Sequence, residues 1–578
     1  MNNHTHTPFR FLDKDLSGFF TIPSGIVTTS AAIIQRIADD MPEVGIITTK
    51  SIGPVPRSGN REPVMTSYAP GCYMNAVGLT NPGADEAREQ LAGLKLPENR
   101  FLLTSIFAGS AAEFVAVAKK LATVSHGLEL NLSCPHAQGY GMDMGQDAEL
   151  VYEIVKAVKE AVDIPVIPKL TPNVSDIRPI AEAAEKAGAD AICAINTVGP
   201  AYFTHGGHPV LTNQYGGMSG RGILPIGLKC VKQIREVSSL PIIGCGGIST
   251  AEDVLAYQDA GADVIGVGSA LTGMDTPAVA EYFNRLNKAV TNRDRQESAS
   301  NRDRQDMKKA LPVSVYPDPD STKRFSMSYE PYTLLSNQPL TEDIAILTFD
   351  KKINIQAGEF IFLWIPGLGE KPFSVLNDDP FTLVVIVQGQ FTKALIGLQE
   401  GVQVYVRGPY GIPVDPPDDA HLMLVAGGTG LAAVYQIARD FKSGNSGQAC
   451  IFLGARSKER LYYLEECQKL AELHVSTDDG TLGEKGLVTE SLETYLAGLE
   501  KLQLDKLMFY NCGPAPMVLA AERVQQKYVG QHQVFSAIDY LTKCGVGICG
   551  ACGSPDGRRL CVDGPFLCID QAPGNTSQ

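Results

Sequence analysis

The chain has 578 residues, 44% of them hydrophobic and 20% charged, which is ordinary for a globular protein and predicts about three to five domains. Its 49 Lys+Arg against 64 Asp+Glu leave a formal charge of −15, which disfavours nucleic acid as the main partner because phosphate binding wants a basic footprint. No apolar run reaches the roughly 18 residues of a membrane helix, and MNNHTHTPFR lacks the basic-then-apolar layout of a signal peptide, so a cytoplasmic protein with no membrane partner is expected.

Short β-rich runs alternate with helical stretches through residues 1–288. A first candidate strand lies in FFTIPSGIVTT (19–29). VGIITTK (44–50), FLLTSIF (101–107), LELNLS (128–133), IPVIPKL (164–170), AICAINT (191–197), PIIGCGGI (241–248) and DVIGVGSA (263–270) follow. These runs are apolar on both faces, as parallel strands covered by helices must be. AAEFVAVAKKLATV (111–124) and AELVYEIVKAVKEAV (148–162) are amphipathic connectors. Eight strands in about 290 residues fit a (β/α)8 TIM barrel, with a doubly wound sheet as the alternative. Polar and Gly-rich residues sit at the C-terminal ends of the runs, where both folds place ligands.

Residues 291–310 read TNRDRQESASNRDRQDMKKA, with NRDRQ occurring twice. Such a charged, apolar-poor stretch reads as a linker over 289–325, the alternative being an exposed helical extension. From 326 to 417 the strands are short and turn-rich (IAILTFD, EFIFLWIP, TLVVIVQG, VQVYVRGPYG), which suggests a small antiparallel β-barrel. The βα alternation returns over 418–535, with HLMLVAGGTG, ACIFLGAR, LHVSTDDG and KLMFYNCGP. A cysteine-rich module, 536–578, closes the chain.

Five of the thirteen cysteines fall in the last 35 residues. Cys544, Cys549, Cys552 and Cys561 have the C-x4-C-x2-C…C spacing of a plant-type 2Fe–2S cluster. A structural zinc site is the rival, although zinc ribbons use paired C-x2-C knuckles. Cys568 falls outside the pattern and reads as a small buried residue. Upstream, Lys371-Pro372-Phe373-Ser374 follows a strand of the small barrel, Gly427-Gly428-Thr429-Gly430 opens a helix where backbone N–H groups can receive a phosphate, and Cys512-Gly513-Pro514 follows another strand. In that order they suggest a flavin-dependent nicotinamide reductase. In the first domain, Asn131 and Cys134 close one strand. Cys134 reads as a base or nucleophile, or as an inert buried thiol. Lys50 and Lys169 end two further strands, and a cation there would stabilise an anionic reduced flavin. The glycines of CGGIST and GVGSAL, with a helix start behind, make a phosphate pocket.

The stretch 330–570 resembles the electron-transfer subunit of NAD-linked dihydroorotate dehydrogenase, a ferredoxin-reductase-like protein. KPFS, GARSKERLYYLEE (454–466), TDDGTLGEKG (477–486), NCGPAPM (511–517) and the cysteine tail carry that resemblance. Residues 15–285 resemble the catalytic subunit of the same family through TTKSI, NAVGLTNPG (75–83), NLSCP, KLTPN, INT (195–197), YGGMSG, GGI and GVGSAL. The resemblance implies oxidation of dihydroorotate to orotate in pyrimidine biosynthesis, with FMN, a 2Fe–2S cluster, FAD and NAD+ in that order, and a homodimer. It implies Cys134 as the base that removes the C5 proton, with Lys50, Asn75, Ala76, Val77, Gly78, Leu79, Asn131, His136, Asn196 and Thr197 around the substrate. FMN would lie on Ser24, Lys50, Ser51, Asn131, Lys169, Ile195, Gly220, Gly246, Gly247, Gly268 and Ser269. Lys371 to Ser374 and Thr392 would hold FAD, while Gly427, Gly428, Gly430, Cys512, Gly513 and Pro514 would serve the nicotinamide nucleotide.

Three departures matter. The family usually has Asn where this chain has His136, and often Asn at Ser105. Its Gly-x-Gly-Thr turn reads Gly389-Gln390-Phe391-Thr392 here. NLSCPH followed by GMDMGQD (141–147) is similar to the pyrimidine-reducing domain of dihydropyrimidine dehydrogenase, so an NAD-linked enzyme acting on uracil and dihydrouracil stands as an alternative. A second alternative is an electron-transfer flavoprotein without pyrimidine turnover.

Overall fold

The computed structural model describes residues 9–132, 144–298, 325–444, 447–538 and 541–568. The chain divides into two compact units, Met1–Lys323 with Val546–Gly557 and Arg324–Gly545 with Arg558–Gln578. The cysteine tail is therefore not the separate module expected over 536–578: its middle belongs to the first unit and its two ends to the second.

The first unit is built on a closed ring of eight parallel strands, β1 (Phe20–Ile22), β2 (Ile46–Thr48), β3 (Phe101–Ile106), β4 (Gly127–Asn131), β5 (Val166–Leu170), β6 (Ile192–Ala194), β7 (Ile242–Cys245) and β8 (Val264–Gly266). Each strand pairs with its neighbours in sequence, and β8 closes on β1. Apolar side chains on both faces suit this ring, one face lining the interior and the other taking a helix. Helix starts are set locally. Asp147 accepts the Glu149 N–H at 2.8 Å ahead of Ala148–Lys159, and Thr250 with Asp253 makes a capping box ahead of Ala251–Asp259.

Three additions to the barrel have no counterpart in the expected strand list, the smallest being the pair Thr204–His205/His208–Pro209. The hairpin Phe9–Phe11/Lys14–Leu16 puts Phe11 and Leu16 into the barrel core with Ile46, Phe101, Leu103 and Ile167. An antiparallel sheet joins Met65–Ala69, Cys72–Asn75, Tyr215–Gly220 and Val198–Tyr202. The last barrel helix, Thr276–Ser298, runs into the segment expected to be linker, because no Gly or Pro interrupts it there.

In the second unit, seven antiparallel strands are β9 (Glu330–Pro339), β10 (Ile344–Phe349), β11 (Phe360–Ile365), β12 (Gly369–Ser374), β13 (Asn377–Asp378), β14 (Phe381–Ile386) and β15 (Gln403–Tyr410). Their order is β12-β11-β15-β9-β10-β14-β13, and no ladder among the described residues joins the two ends, so the barrel expected here is a curled sheet. A second seven-stranded sheet contains β16 (His421–Gly427), β17 (Ala449–Ala455), β18 (Glu472–Thr477), β19 (Glu484–Lys485), β20 (Leu507–Cys512), β21 (Val534–Ala537) and β22 (Leu567–Cys568). Its order is β19-β18-β17-β16-β20-β21-β22, parallel except for β22, which the tail supplies antiparallel to β21. Cys568 on β22 is buried, as expected of a packing residue. No helix among the described residues is long and apolar enough to cross a membrane.

Candidate active site

One cavity lies at the C-terminal ends of the barrel strands. It is lined by Ser24, Lys50, Ser51, Asn75, Val77, Gly78, Leu79, Asn131, Lys169, Ile195, Asn196, Thr197, Gly220, Gly246, Gly247, Gly268 and Ser269. Residues expected around substrate and around FMN thus share one space. Ala76 is the exception: its side chain is buried in a small core with Met74 and Leu211. The alternation along the NAVGL segment turns it away while its neighbours face inward. Cys134 and His136 lie outside the described residues.

Short-range architecture explains these positions. Asn75 ends a strand paired with Tyr215–Gly220, and Gly78, at φ +83°, comes so close to the Asn60 backbone that an added Cβ would sit 2.6 Å from Asn60 N. Only glycine fits that approach. Asn131 Nδ2 donates to Ser51 Oγ at 3.0 Å, its Oδ1 accepts from Asn196 Nδ2 at 3.2 Å, and Asn196 Oδ1 accepts the Thr197 N–H at 2.8 Å. The amides of β4 and of the turn after β6 therefore fix one another.

Gly246 and Gly247 follow β7 at φ +130° and +80°. A Cβ on Gly247 would lie 2.8 Å from the Leu224 N at the start of helix Leu224–Val237 and 2.9 Å from the Gly220 O. At Gly268 the nearest atom would be 3.5 Å away, so backbone is packed closely on one side of the pocket and left open on the other. Glycine backbone at a helix start beside Ser269, with a buried lysine opposite, fits a flavin mononucleotide. Gly247→Ala adds a strained φ and a backbone clash, so it is expected to lower FMN affinity by about 1–3 kcal/mol, roughly 5- to 150-fold, read as flavin retained per chain after gel filtration.

Lys169 is 4% exposed and its Nζ stands 3.7 Å from Glu129 Oε1. Burial alone would pull the ammonium's pKa down, but the Glu129 charge, with Cys193 and Cys245 behind it, holds it well above the ordinary lysine value. Cys193 and Cys245 are 4.0 Å apart, and hydrogen bonding to Cys245 together with burial pushes the Cys193 thiol up. Glu129 also accepts from Ser105 Oγ at 2.8 Å, and Ser105 is 2.9 Å from Ser51 Oγ. Sequence reasoning missed Glu129; the available signal was one acidic residue between the apolar Leu128 and Leu130 of β4. It also missed Ile26, Met65, Ser219, Ile223, Cys245 and Cys549 of the cavity wall.

Cys549 arrives on Val546–Gly557, the part of the tail that belongs to this unit. The Val27 N–H donates to Ile548 O at 2.7 Å, and the Gly273 N–H to Val546 O at 2.9 Å. Gly550, at φ +64°, passes so close to the Thr29 hydroxyl that no side chain fits. Cys544, Cys549, Cys552 and Cys561 are all buried, and positive-φ glycines lie between them along the chain. Cys549 and Cys552 belong to the first unit, Cys544 and Cys561 to the second. Among the described residues no group of three or more His, Cys, Asp or Glu side chains is placed to hold a metal ion.

In the second unit, Lys371, Pro372, Phe373 and Ser374 are half-buried on β12, an edge strand. Thr392 Oγ1 accepts the Gln388 and Gly389 N–H groups at 2.9 and 3.2 Å, capping the helix Gln390–Ile396, and Phe391 is buried in the sheet core. The side chain that replaces the family's glycine is thus a core residue. Gly427 ends β16 and Cys512 ends β20, which are adjacent parallel strands. A Cβ on Gly430 would strike the Cys512 carbonyl, and one on Gly513 would lie 3.0 Å from Gly427 N. The GGTG and Cys512-Gly513-Pro514 turns are therefore pressed together at the strand ends, where such a sheet binds a dinucleotide.

Residues 8–290 match the family model described as dihydroorotate dehydrogenase, and residues 424–523 match the oxidoreductase NAD-binding domain. The chain is 44% identical over 251 residues to the dihydroorotate dehydrogenase B (NAD(+)) catalytic subunit of Pyrococcus abyssi, covering 43% of this chain and 82% of that one. For the subunit of the same name from Methanocaldococcus jannaschii the identity is 44% over 252 residues, covering 43% and 81%. A solved structure titled as an NADH-dependent reduced ferredoxin-NADP oxidoreductase matches at 25% identity and a TM-score of 0.37, over 41% of this chain and 87% of that one. The barrel, the cavity at its strand ends and the extent of these matches make the chain a member of the dihydroorotate dehydrogenase family, with an oxidoreductase NAD-binding domain in its second half.

Proposed function

We propose that this protein oxidises dihydroorotate to orotate for pyrimidine synthesis and delivers the electrons to NAD+ within one polypeptide. One observation carries the reading: Asn75, Val77 to Leu79, Asn196 and Thr197, expected around the substrate, line the same barrel cavity as the residues expected around FMN. In module terms, the FMN barrel runs to the end of its last helix at Ser298, 326–417 is the FAD-binding sheet, 418–535 the NAD-binding domain and the tail from 536 carries the cluster cysteines, in a cytoplasmic homodimer. When bound, FMN would supply a hydride acceptor for the substrate, a 2Fe–2S cluster held by Cys544, Cys549, Cys552 and Cys561 would supply one-electron transfer, and FAD would supply a hydride donor for NAD+. The cluster assignment rests on cysteine spacing and burial.

The chain's own residues do the rest. Backbone amides of Val77 to Leu79 receive the substrate carboxylate, and Asn75 and Asn196 hold the ring. Thiolate Cys134 removes the C5 proton as the C6 hydride leaves. Lys169 holds positive charge under the flavin site, and Gly246, Gly247, Gly268 and Ser269 take the phosphate. Lys371 to Ser374 and Thr392 support FAD, while the GGTG and Cys512-Gly513-Pro514 turns place the nicotinamide nucleotide.

Anaerobic stopped-flow mixing with dihydroorotate or with dihydrouracil tests this. Dihydroorotate is expected to bleach the flavin in milliseconds to seconds and dihydrouracil to leave it oxidised. Bleaching by dihydrouracil alone would install the dihydropyrimidine reading, which His136 and GMDMGQD favour. Bleaching by neither would make the protein an electron carrier.

A further inference from the structure

The barrel interior contains an oriented chain of hydroxyls ending on a buried carboxylate. Glu129, 1% exposed, can only accept when ionised, so the 2.8 Å bond to Ser105 consumes the single Ser105 proton. Ser51 must then donate to Ser105 across 2.9 Å, and Ser24 to Ser51 across 2.9 Å, while Asn131 Nδ2 fills the remaining Ser51 lone pair at 3.0 Å. Every hydroxyl proton from the cavity wall inward points toward Glu129. Register explains the juxtaposition: Asn131 pairs with Lys169 and Glu129 with Ile167, so Glu129 and Lys169 project to the same interior face.

We propose that Glu129 is the redox-linked proton site of the barrel: it positions Lys169 and binds one proton, passed through Ser24, Ser51 and Ser105, while the flavin in the cavity is reduced. This rests on the FMN reading above. With the flavin oxidised, Glu129 and Lys169 form a neutral pair. Two electrons arriving in the cavity add negative charge, which raises the proton affinity of a neighbouring buried carboxylate. A proton taken from solvent in the cavity hops along the three hydroxyls, converting carboxylate to carboxylic acid, and returns when the electrons leave. No electron resides on Glu129. The titratable groups facing it are Lys169 on β5, Cys193 on β6 and Cys245 on β7, and Lys169 is the one that carries charge.

The test is a spectroelectrochemical titration of the full-length, flavin-loaded protein across pH, comparing the parent with Glu129→Gln and Ser105→Ala. In the parent, one extra proton per two electrons steepens the FMN midpoint by 29.6 mV per pH unit over a limited window. Glu129→Gln is expected to lose that steeper segment and, at alkaline pH, to shift the equilibrium at least tenfold toward reduced flavin. Ser105→Ala keeps the carboxylate, so it should retain the equilibrium slope but slow the proton-linked phase after a pH jump. A folded Glu129→Gln protein whose midpoint follows the parent at every pH overturns the proposal, and so does a Ser105→Ala protein whose proton-linked phase is unchanged. A parent barrel that binds no FMN overturns the functional reading itself, an outcome separable from both.

Discussion

Cys134→Ser is expected to lower kcat for dihydroorotate oxidation by about 10²- to 10⁴-fold, the usual contribution of a positioned general base, while NADH-dependent reduction of an artificial dye continues at the parental rate. The asymmetry follows from the assignment of parts. On the proposed function, proton removal from C5 belongs to the barrel, whereas dye reduction needs only NADH at the turns that end β16 and β20 and a flavin to take its hydride. Serine's hydroxyl is a far weaker acid than a thiol, whose ordinary pKa is about 8.5, so the parent's rate should rise with pH toward that value. Below it each unit of pH removes about nine-tenths of the remaining thiolate. In the serine variant that dependence should move beyond the accessible alkaline range. Steady-state assays of both half-reactions from pH 6 to 10 measure this, and an equal loss of both activities would sink the division of labour.

How much of this was legible in the sequence depends on the range of the forces involved. The eight barrel strands could be read because both faces are apolar, a property each strand carries alone. Their C-terminal limits were harder to read: β6 stops at Ala194, since Ile195 to Thr197 turn into the cavity. The hairpin Phe9–Leu16 and the sheet carrying Asn75 are made of short strands whose burial is decided by what they cap. At 289–298 the alternative of a helical extension is the one observed, because a polar sequence free of Gly and Pro continues the last helix. The cavity lining was recovered through motif glycines and amides, but Glu129 was not. Its meaning lies in the β4–β5 register and in Ser105 on β3 with Ser51 after β2, none of which is written within reach of Glu129 along the chain.

A second large effect is expected at Arg407 in the second unit. Its guanidinium is 2% exposed and bonds Glu370 twice, Nη2 to Oε1 at 2.5 Å and Nε to Oε2 at 2.9 Å. Nη1 donates to the Tyr410 hydroxyl and to the Cys544 carbonyl, both at 2.8 Å, and the cation lies 4.1 Å over the Phe362 ring. Glu370 takes a further bond from the Tyr329 hydroxyl at 2.7 Å. This cluster ties β11, β12 and β15 to the start of the cysteine segment at a point where water cannot replace a lost partner. Removing one charge strands the other, so Glu370→Leu or Arg407→Met should each cost about 3–5 kcal/mol. For a unit of this size that is a fall of roughly 6–20 °C in Tm. The double variant should recover part of the loss, because two apolar side chains of similar volume leave no uncompensated charge. Recovery cannot be complete, since Tyr329, Tyr410 and the Cys544 carbonyl lose their partners too. Thermal unfolding followed by calorimetry distinguishes these cases. If the double variant is as unstable as the sum of the singles, the pair acts through its separate hydrogen bonds and not through mutual charge compensation.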